Sequence, residues 1–231
     1  TEPPANYYRA LRDPFVRAET TARLFLGARI ACAKCHNHPF DRWTQDDYYS
    51  FAAMFSRVDY QIVKNERRDK LDLNEFAGEQ IVKLNDKGSV TNDRTKKPAT
   101  PRLLDPAAKP LAEKDDPLVA TANWLTAPEN KQFARVQANF IWYHLLGRGL
   151  VEPIDDFRPT NPAVYPELLD ALADDLRDHG HDLRHLVRRI LRSRVYQTSA
   201  EPNDFNRDDD RHFAKAIVRR LTAEQLLDAQ S

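Results

Sequence analysis

Asn130-Lys131-Gln132-Phe133-Ala134-Arg135-Val136-Gln137-Ala138-Asn139-Phe140-Ile141-Trp142-Tyr143-His144-Leu145-Leu146-Gly147 reads as one helix. Gly147 marks its end. Phe133, Val136, Phe140, Tyr143 and His144 recur near one face, the spacing of an amphipathic helix that packs on others. Downstream, Pro166 to His179 carries Leu168, Leu169, Leu172 and Leu176 and closes at Gly180. Asp182 caps a further helix with Leu183, Leu186, Val187, Ile190 and Leu191 inward. Residues 204–221 are expected to be helical, and Thr222-Ala223-Glu224-Gln225 opens a last helix.

Upstream, Asp116-Pro117 starts a short helix over Leu118 to Leu125. Asp13-Pro14 starts another, with apolar Phe15, Ala18, Ala22, Phe25, Leu26 and Ala28 running toward Cys32. Thr44-Gln45-Asp46-Asp47 makes a capping-box start for a helix with Tyr48, Phe51, Ala52, Met54 and Phe55 on its apolar face. Between 59 and 112 the character changes. Tyr60 to Val63 and Gln80 to Leu84 read as short strands, Asn85-Asp86-Lys87-Gly88 as a hairpin turn before Val90, and Pro98, Pro101, Pro106 and Pro110 as an irregular linker. The expectation is a mainly α protein, a helical bundle with a small β-hairpin or irregular insertion around residues 59–112. Residues 1–58 form a helical hairpin, 59–114 the insertion and linker, and 115–231 a helical domain packed with 1–58 as one unit.

Length and composition set outer bounds. The 231 residues suffice for a substantial core, and 41% hydrophobic with 30% charged residues is ordinary for a folded protein. Lys+Arg and Asp+Glu both number 35, so no global field favours nucleic acid or an anionic membrane. No apolar run approaches the ~18 residues needed for a membrane span. Thr1-Glu2-Pro3-Pro4 reads as neither a signal peptide nor a natural beginning, so the chain is expected to be a fragment.

The sharpest chemical signal is Cys32-Ala33-Lys34-Cys35-His36, which contains both cysteines of the chain. Two thiols with two residues between them reach the two vinyl positions of one porphyrin edge, and the next histidine points at the iron. Cys32, Cys35 and His36 therefore read as an attachment site for haem c, with His36 as proximal ligand. A metal site is the main alternative: Cys32, Cys35, His36 and His38, with Asp41, offer thiolates and imidazoles to zinc or iron. A local redox pair and a structural disulfide or packed turn are the others. For the sixth iron ligand the choices are Met54, the one methionine, and His144, His179, His181, His185 and His212. His144, with Phe140, Trp142 and Tyr143 nearby, is the preferred one. His179 and His181 bracket Gly180 and read as capping or solvated residues. His185 sits with Arg184, Arg188, Arg189, Arg192 and Arg194 on a basic, solvated face. Glu152, Asp155 and Asp156 near Pro153 read as loop caps, although paired carboxylates could serve acid–base chemistry. Asp208-Asp209-Asp210 reads as a solvated helix start.

Two stretches resemble known domains. Phe25-Leu26-Gly27-Ala28-Arg29-Ile30 leading to Cys32–Thr44, then Asp47-Tyr48-Tyr49, resembles the planctomycete cytochrome-like domain of unknown function 1549, over residues 1–60. Asn139–His144 through Gly147-Arg148-Gly149-Leu150-Val151, with Asp155–Arg158, Asn161-Pro162, Leu168-Leu169-Asp170 and Ser193–Gln197, resembles its usual partner, domain of unknown function 1553, over residues 115–231. The resemblance implies a large exported protein, periplasmic or extracellular, often with a separate cytochrome domain of the same chain. Haem on Cys32 and Cys35 would make the chain an electron-transfer module, with a redox partner protein or that neighbouring domain as its partner; a Cys/His site for zinc or iron would make it a non-haem structural or interaction module instead. It also favours His144, which falls inside the familiar motif, over Met54.

Overall fold

The computed structural model describes residues 3–67, 77–112 and 114–230. Among them are eight α-helices and one two-stranded antiparallel sheet, so the protein is mainly α with a small hairpin. The helices are α1 (Ala5–Ala10), α2 (Pro14–Leu26), α3 (Gln45–Ala53), α4 (Pro117–Leu125), α5 (Lys131–Leu146), α6 (Pro166–Asp178), α7 (Leu183–Leu191) and α8 (Ala223–Gln230). The strands are β1 (Val58–Asn65) and β2 (Gly78–Leu84). The chain divides into two compact units: residues up to Arg23 with Arg29–Thr126, and Leu24–Ala28 with the residues from Ala127 onward.

In the first unit, Asp13 caps α2 through the N–H groups of Phe15 and Val16, at 2.8 and 3.2 Å. Thr44 and Asp47 close a full capping box on α3. The core is built from α2 and α3: Ala18, Ala22, Ile30, Tyr48, Tyr49, Phe51, Met54 and Phe55 are buried. Arg17 is buried among them, and among the described residues no carboxylate pairs with it. Its guanidinium donates instead to the carbonyls of Phe55 (3.1 Å) and Arg12 (2.9 Å) and to the Tyr60 hydroxyl (2.6 Å). A buried charge needs such partners, and these three tie β1 and the end of α3 to the start of α2.

The hairpin pairs Val58 with Leu84 and Tyr60 with Val82, and slips register between Ile62 and Lys64. The strands expected at 60–63 and 80–84 are therefore present, but they pair with each other. Asn85–Gly88 returns no strand to β2. Asn85 is held by Arg57, N–H to carbonyl at 2.8 Å, and Val90 is buried and accepts from the Ala99 N–H instead.

The second unit packs α6 against α5 and α7. Ala134, Ala138, Trp142, Leu169, Leu172, Ala173, Leu176, Leu186 and Ile190 fill its core together with Leu150, Val151 and Phe213. On α5 the residues in this core are Ala134, Ala138 and Trp142; Asn139 and, from the expected apolar face, Val136 are buried as well. Phe133, Phe140 and Tyr143 are only half-buried and His144 is exposed. The small alanines let α6 approach closely, which bulk-based pattern reading overlooks.

The helix expected over 204–221 does not form. The Asn203 side chain accepts from the N–H groups of Phe205 and Asn206, and the Asp209 carboxylate from those of Arg211, His212 and Ala214. Lys215 donates to the carbonyls of Asn206, Arg207 and Asp209. Side-chain bonds to the local backbone displace the helical ladder. Those N–H donors hold the Asp209 carboxyl well below the usual carboxylate range.

Candidate functional site

The helix carrying the apolar run from Phe15 stops at Leu26, before the cysteines. Gly27 adopts φ +60°, its carbonyl accepts the Phe157 N–H at 2.9 Å, and a β-carbon there would lie 2.4 Å from the Phe157 ring. Only glycine fits that turn without strain. Cys32 consequently sits in a separate 3-10 turn, Ala31–Lys34, with Cys35 as its C-cap, rather than at the end of α2. Ile30 and Ala33 point into the core, and Cys32, Lys34, Cys35 and His36 are exposed. Both thiols are free.

The turn is anchored to the start of α3. The Tyr49 hydroxyl and the Gln45 side-chain amide each donate to the Lys34 carbonyl at 3.1 Å, and the Gln45 N–H donates to the Asn37 side chain at 3.1 Å. The His38 N–H donates to the carbonyl of buried Trp43 at 2.8 Å. Tyr49 also donates to Asp93 at 3.0 Å, and burial, reinforced by that carboxylate, pushes its phenol up to about 12. His36 Nδ1 lies 2.8 Å from the Asn37 carbonyl oxygen. That oxygen can only accept, so Nδ1 is the protonated nitrogen and Nε2 keeps its lone pair. This is how a second hydrogen bond readies an imidazole for a metal.

Met54 is fully buried in the first unit's core. His144 is exposed on α5 in the second unit, its carbonyl bound by Arg219. His38 Nδ1 accepts the Phe40 N–H at 3.2 Å. Among the described residues, Cys32, Cys35, His36 and His38 do not bring three ligand atoms within 4.8 Å of one another. Asp156 is buried and paired with Arg158 at 3.2 Å, and Glu152 accepts the Gly149 N–H at 3.0 Å, as loop-forming residues do.

Family models match both halves of this layout. Residues 5–60 match "Protein of unknown function (DUF1549)" and residues 119–231 match "Protein of unknown function (DUF1553)". The chain is a DUF1549–DUF1553 protein. No curated protein and no solved structure matches it.

The DUF1549 part holds the Cys32–His36 turn. The DUF1553 part holds a second cluster that the sequence reading passed over. Asp175, His179 and His185 bring one ligand atom each within 4.8 Å of one another. By sequence position alone, His179 reads as a capping or solvated residue and His185 as part of a solvated flank. The available signal was Asp175 and His179 four apart on α6, which places them on one face. The return of α7 to bring His185 onto that face depends on the turn at Gly180, and periodicity does not report it. Among the described residues no helix is long and apolar enough to cross a membrane.

Proposed function

We propose that Cys32, Cys35 and His36 are an attachment site for haem c and that the chain is a redox module of an exported protein. The observation that carries the reading is the exposed 3-10 turn, with two free thiols followed by an imidazole whose Nδ1 is tied to a backbone carbonyl. The donor set fits the group. Both sulfurs are open to thioether formation, and the Nε2 lone pair of His36 is available for an axial bond. When bound, the haem supplies one-electron redox chemistry. The chain's contribution is to anchor and orient. Tyr49 and Gln45 hold the Lys34 carbonyl, Ala33 seats the turn in the core, and Asn37 fixes the His36 tautomer. Attachment of haem c follows export in bacteria, so the reading places the protein in the periplasm or outside the cell. Its partner would be a redox protein or a cytochrome domain of the same full-length chain.

The test is a pyridine haemochrome spectrum of the chain produced with a haem c maturation system, beside the Cys32→Ala/Cys35→Ala variant. Covalent haem that disappears in the variant is the expected result. Stoichiometric zinc or iron on the cysteines and no haem would overturn it and make the turn a Cys/His metal site.

A further inference from the structure

The end of α6 and the start of α7 are locked together by their connection. Gly180 at φ +62° and His181 at φ +61° turn the chain, and the His181 N–H reaches back to the Leu176 carbonyl at 2.8 Å. Asp182 then caps α7 through the N–H groups of Arg184 and His185, at 2.8 and 3.1 Å. The result sets two imidazoles beside one carboxylate. The rings of His179 and His185 stack with centroids 3.7 Å apart and planes 14° from parallel. His185 Nε2 lies 3.0 Å from Asp175 Oδ2, and His179 Nδ1 lies 3.6 Å from Oδ1. The Asp175 side chain is 13% exposed, so its charge is partly withdrawn from water. The histidines are open at 27% and 47%.

We propose that Asp175, His179 and His185 bind a divalent transition-metal ion of the zinc class. Two imidazoles and one carboxylate are the borderline donors such ions select. Bond lengths of about 2.0–2.2 Å put the donors of a tetrahedral site roughly 3.4 Å apart. His179 Nδ1 is tied to the Asp175 carbonyl oxygen at 2.8 Å, so for the donors to close from within 4.8 Å the stacked rings must turn out of parallel and His179 must release that bond or present Nε2. Three protein ligands leave at least one position for water or a small ligand, and Asp175 also lines an apolar cavity of about 330 Å³ beside Trp142, Leu172, Ile190 and Phe213. The competing group is Arg189, whose Nη1 stands 3.6 Å from Asp175 Oδ1. Its side chain is 63% exposed and can turn to solvent when an ion enters. The site is independent of haem attachment at the cysteines.

The test is a Co²⁺ titration of the full chain bearing Cys32→Ser/Cys35→Ser, which removes thiolate ligands, read by ligand-field absorbance and calorimetry. One equivalent should bind without a thiolate charge-transfer band. His179→Ala, at the more exposed histidine, and His185→Gln should each weaken binding by at least the about 10–100-fold that loss of a supporting partner costs. Arg189→Gln should tighten it by about fivefold, the worth of one nearby exposed charge. No binding, or binding unchanged by both histidine substitutions while circular dichroism shows a native fold, would overturn the proposal. So would Co²⁺ that binds the parent chain but not the cysteine-free one, since the ion would then belong to the Cys32–His36 turn.

Discussion

The side-chain amide of Asn139 meets the backbone of Val151 at both ends: Nδ2 donates to the Val151 carbonyl at 3.0 Å and Oδ1 accepts the Val151 N–H at 3.0 Å. Both residues are buried. The pair holds the loop after α5 in place of a strand neighbour. Asn139→Leu keeps the branched shape, adds bulk, and strands a buried N–H and a buried carbonyl. It should cost about 2–4 kcal/mol, the usual penalty for two such groups, read as a lower urea midpoint. A loss below about 0.5 kcal/mol, the scatter of surface substitutions, would show that the clamp is dispensable.

Gly27 gives a second stability test. Gly27→Ala combines a left-handed backbone with a β-carbon 2.4 Å from the Phe157 ring. The conformation alone costs about 1–2 kcal/mol and overpacking a further one or more. A total of about 2–4 kcal/mol is expected in chemical denaturation. Phe157→Ala in the same chain should return part of it by removing the obstacle, while leaving the backbone term. An additive double mutant would show that the ring is not what Gly27 accommodates.

Tyr49 links stability to pH. Its phenol is pushed up to about 12 in the fold, against an ordinary value near 10, by burial first and then by Asp93. A raised pKa means the folded state holds its proton longer than the unfolded chain does. The contribution is therefore complete below pH 10 and is lost as pH climbs from about 10 to 12. Stability measured across that window should fall in the parent and fall less steeply in Tyr49→Phe. The same variant should be weaker at neutral pH, because the Lys34 carbonyl and Asp93 lose a donor. Parallel pH curves for the two proteins would contradict the assignment.

The cysteines separate a functional role from a structural one. Both thiols are free and exposed, and the turn is held by Ala33, Tyr49, Gln45 and Trp43 instead. Cys32→Ser/Cys35→Ser in the haem-free chain should shift stability by no more than about 0.5 kcal/mol, as exposed substitutions do. A loss of about 2 kcal/mol or more, in the range of a removed disulfide, would mean that the pair staples the fold.

Local signals were legible in the sequence because their partners lie within a few residues. The caps at Asp13, Thr44 and Asp182, the helix start at Asp116-Pro117 and the stop at Gly147 all occur where residue type placed them. The Cys32–His36 spacing could be read for the same reason, since its donors are contiguous. Where Asp and Asn side chains compete for the backbone, as over 203–215, helix periodicity misled, because propensity does not count bonds such as those gathered by Asp209 and Lys215.

Residue type and spacing, acting over short range, by themselves determined the mainly α character, most of the helix starts, and the gathering of two thiols and an imidazole within five contiguous residues. Tertiary structure alone decided three things. It stopped α2 at Gly27, because Phe157, 130 positions away, occupies the space a side chain would need. It chose the alanine stripe of α5 as the buried face, because close approach of α6 favours small residues over large ones. It gathered Asp175, His179 and His185, because the turn at Gly180 folds α7 back across the end of α6. Each depends on packing between residues that the chain must first fold to bring together.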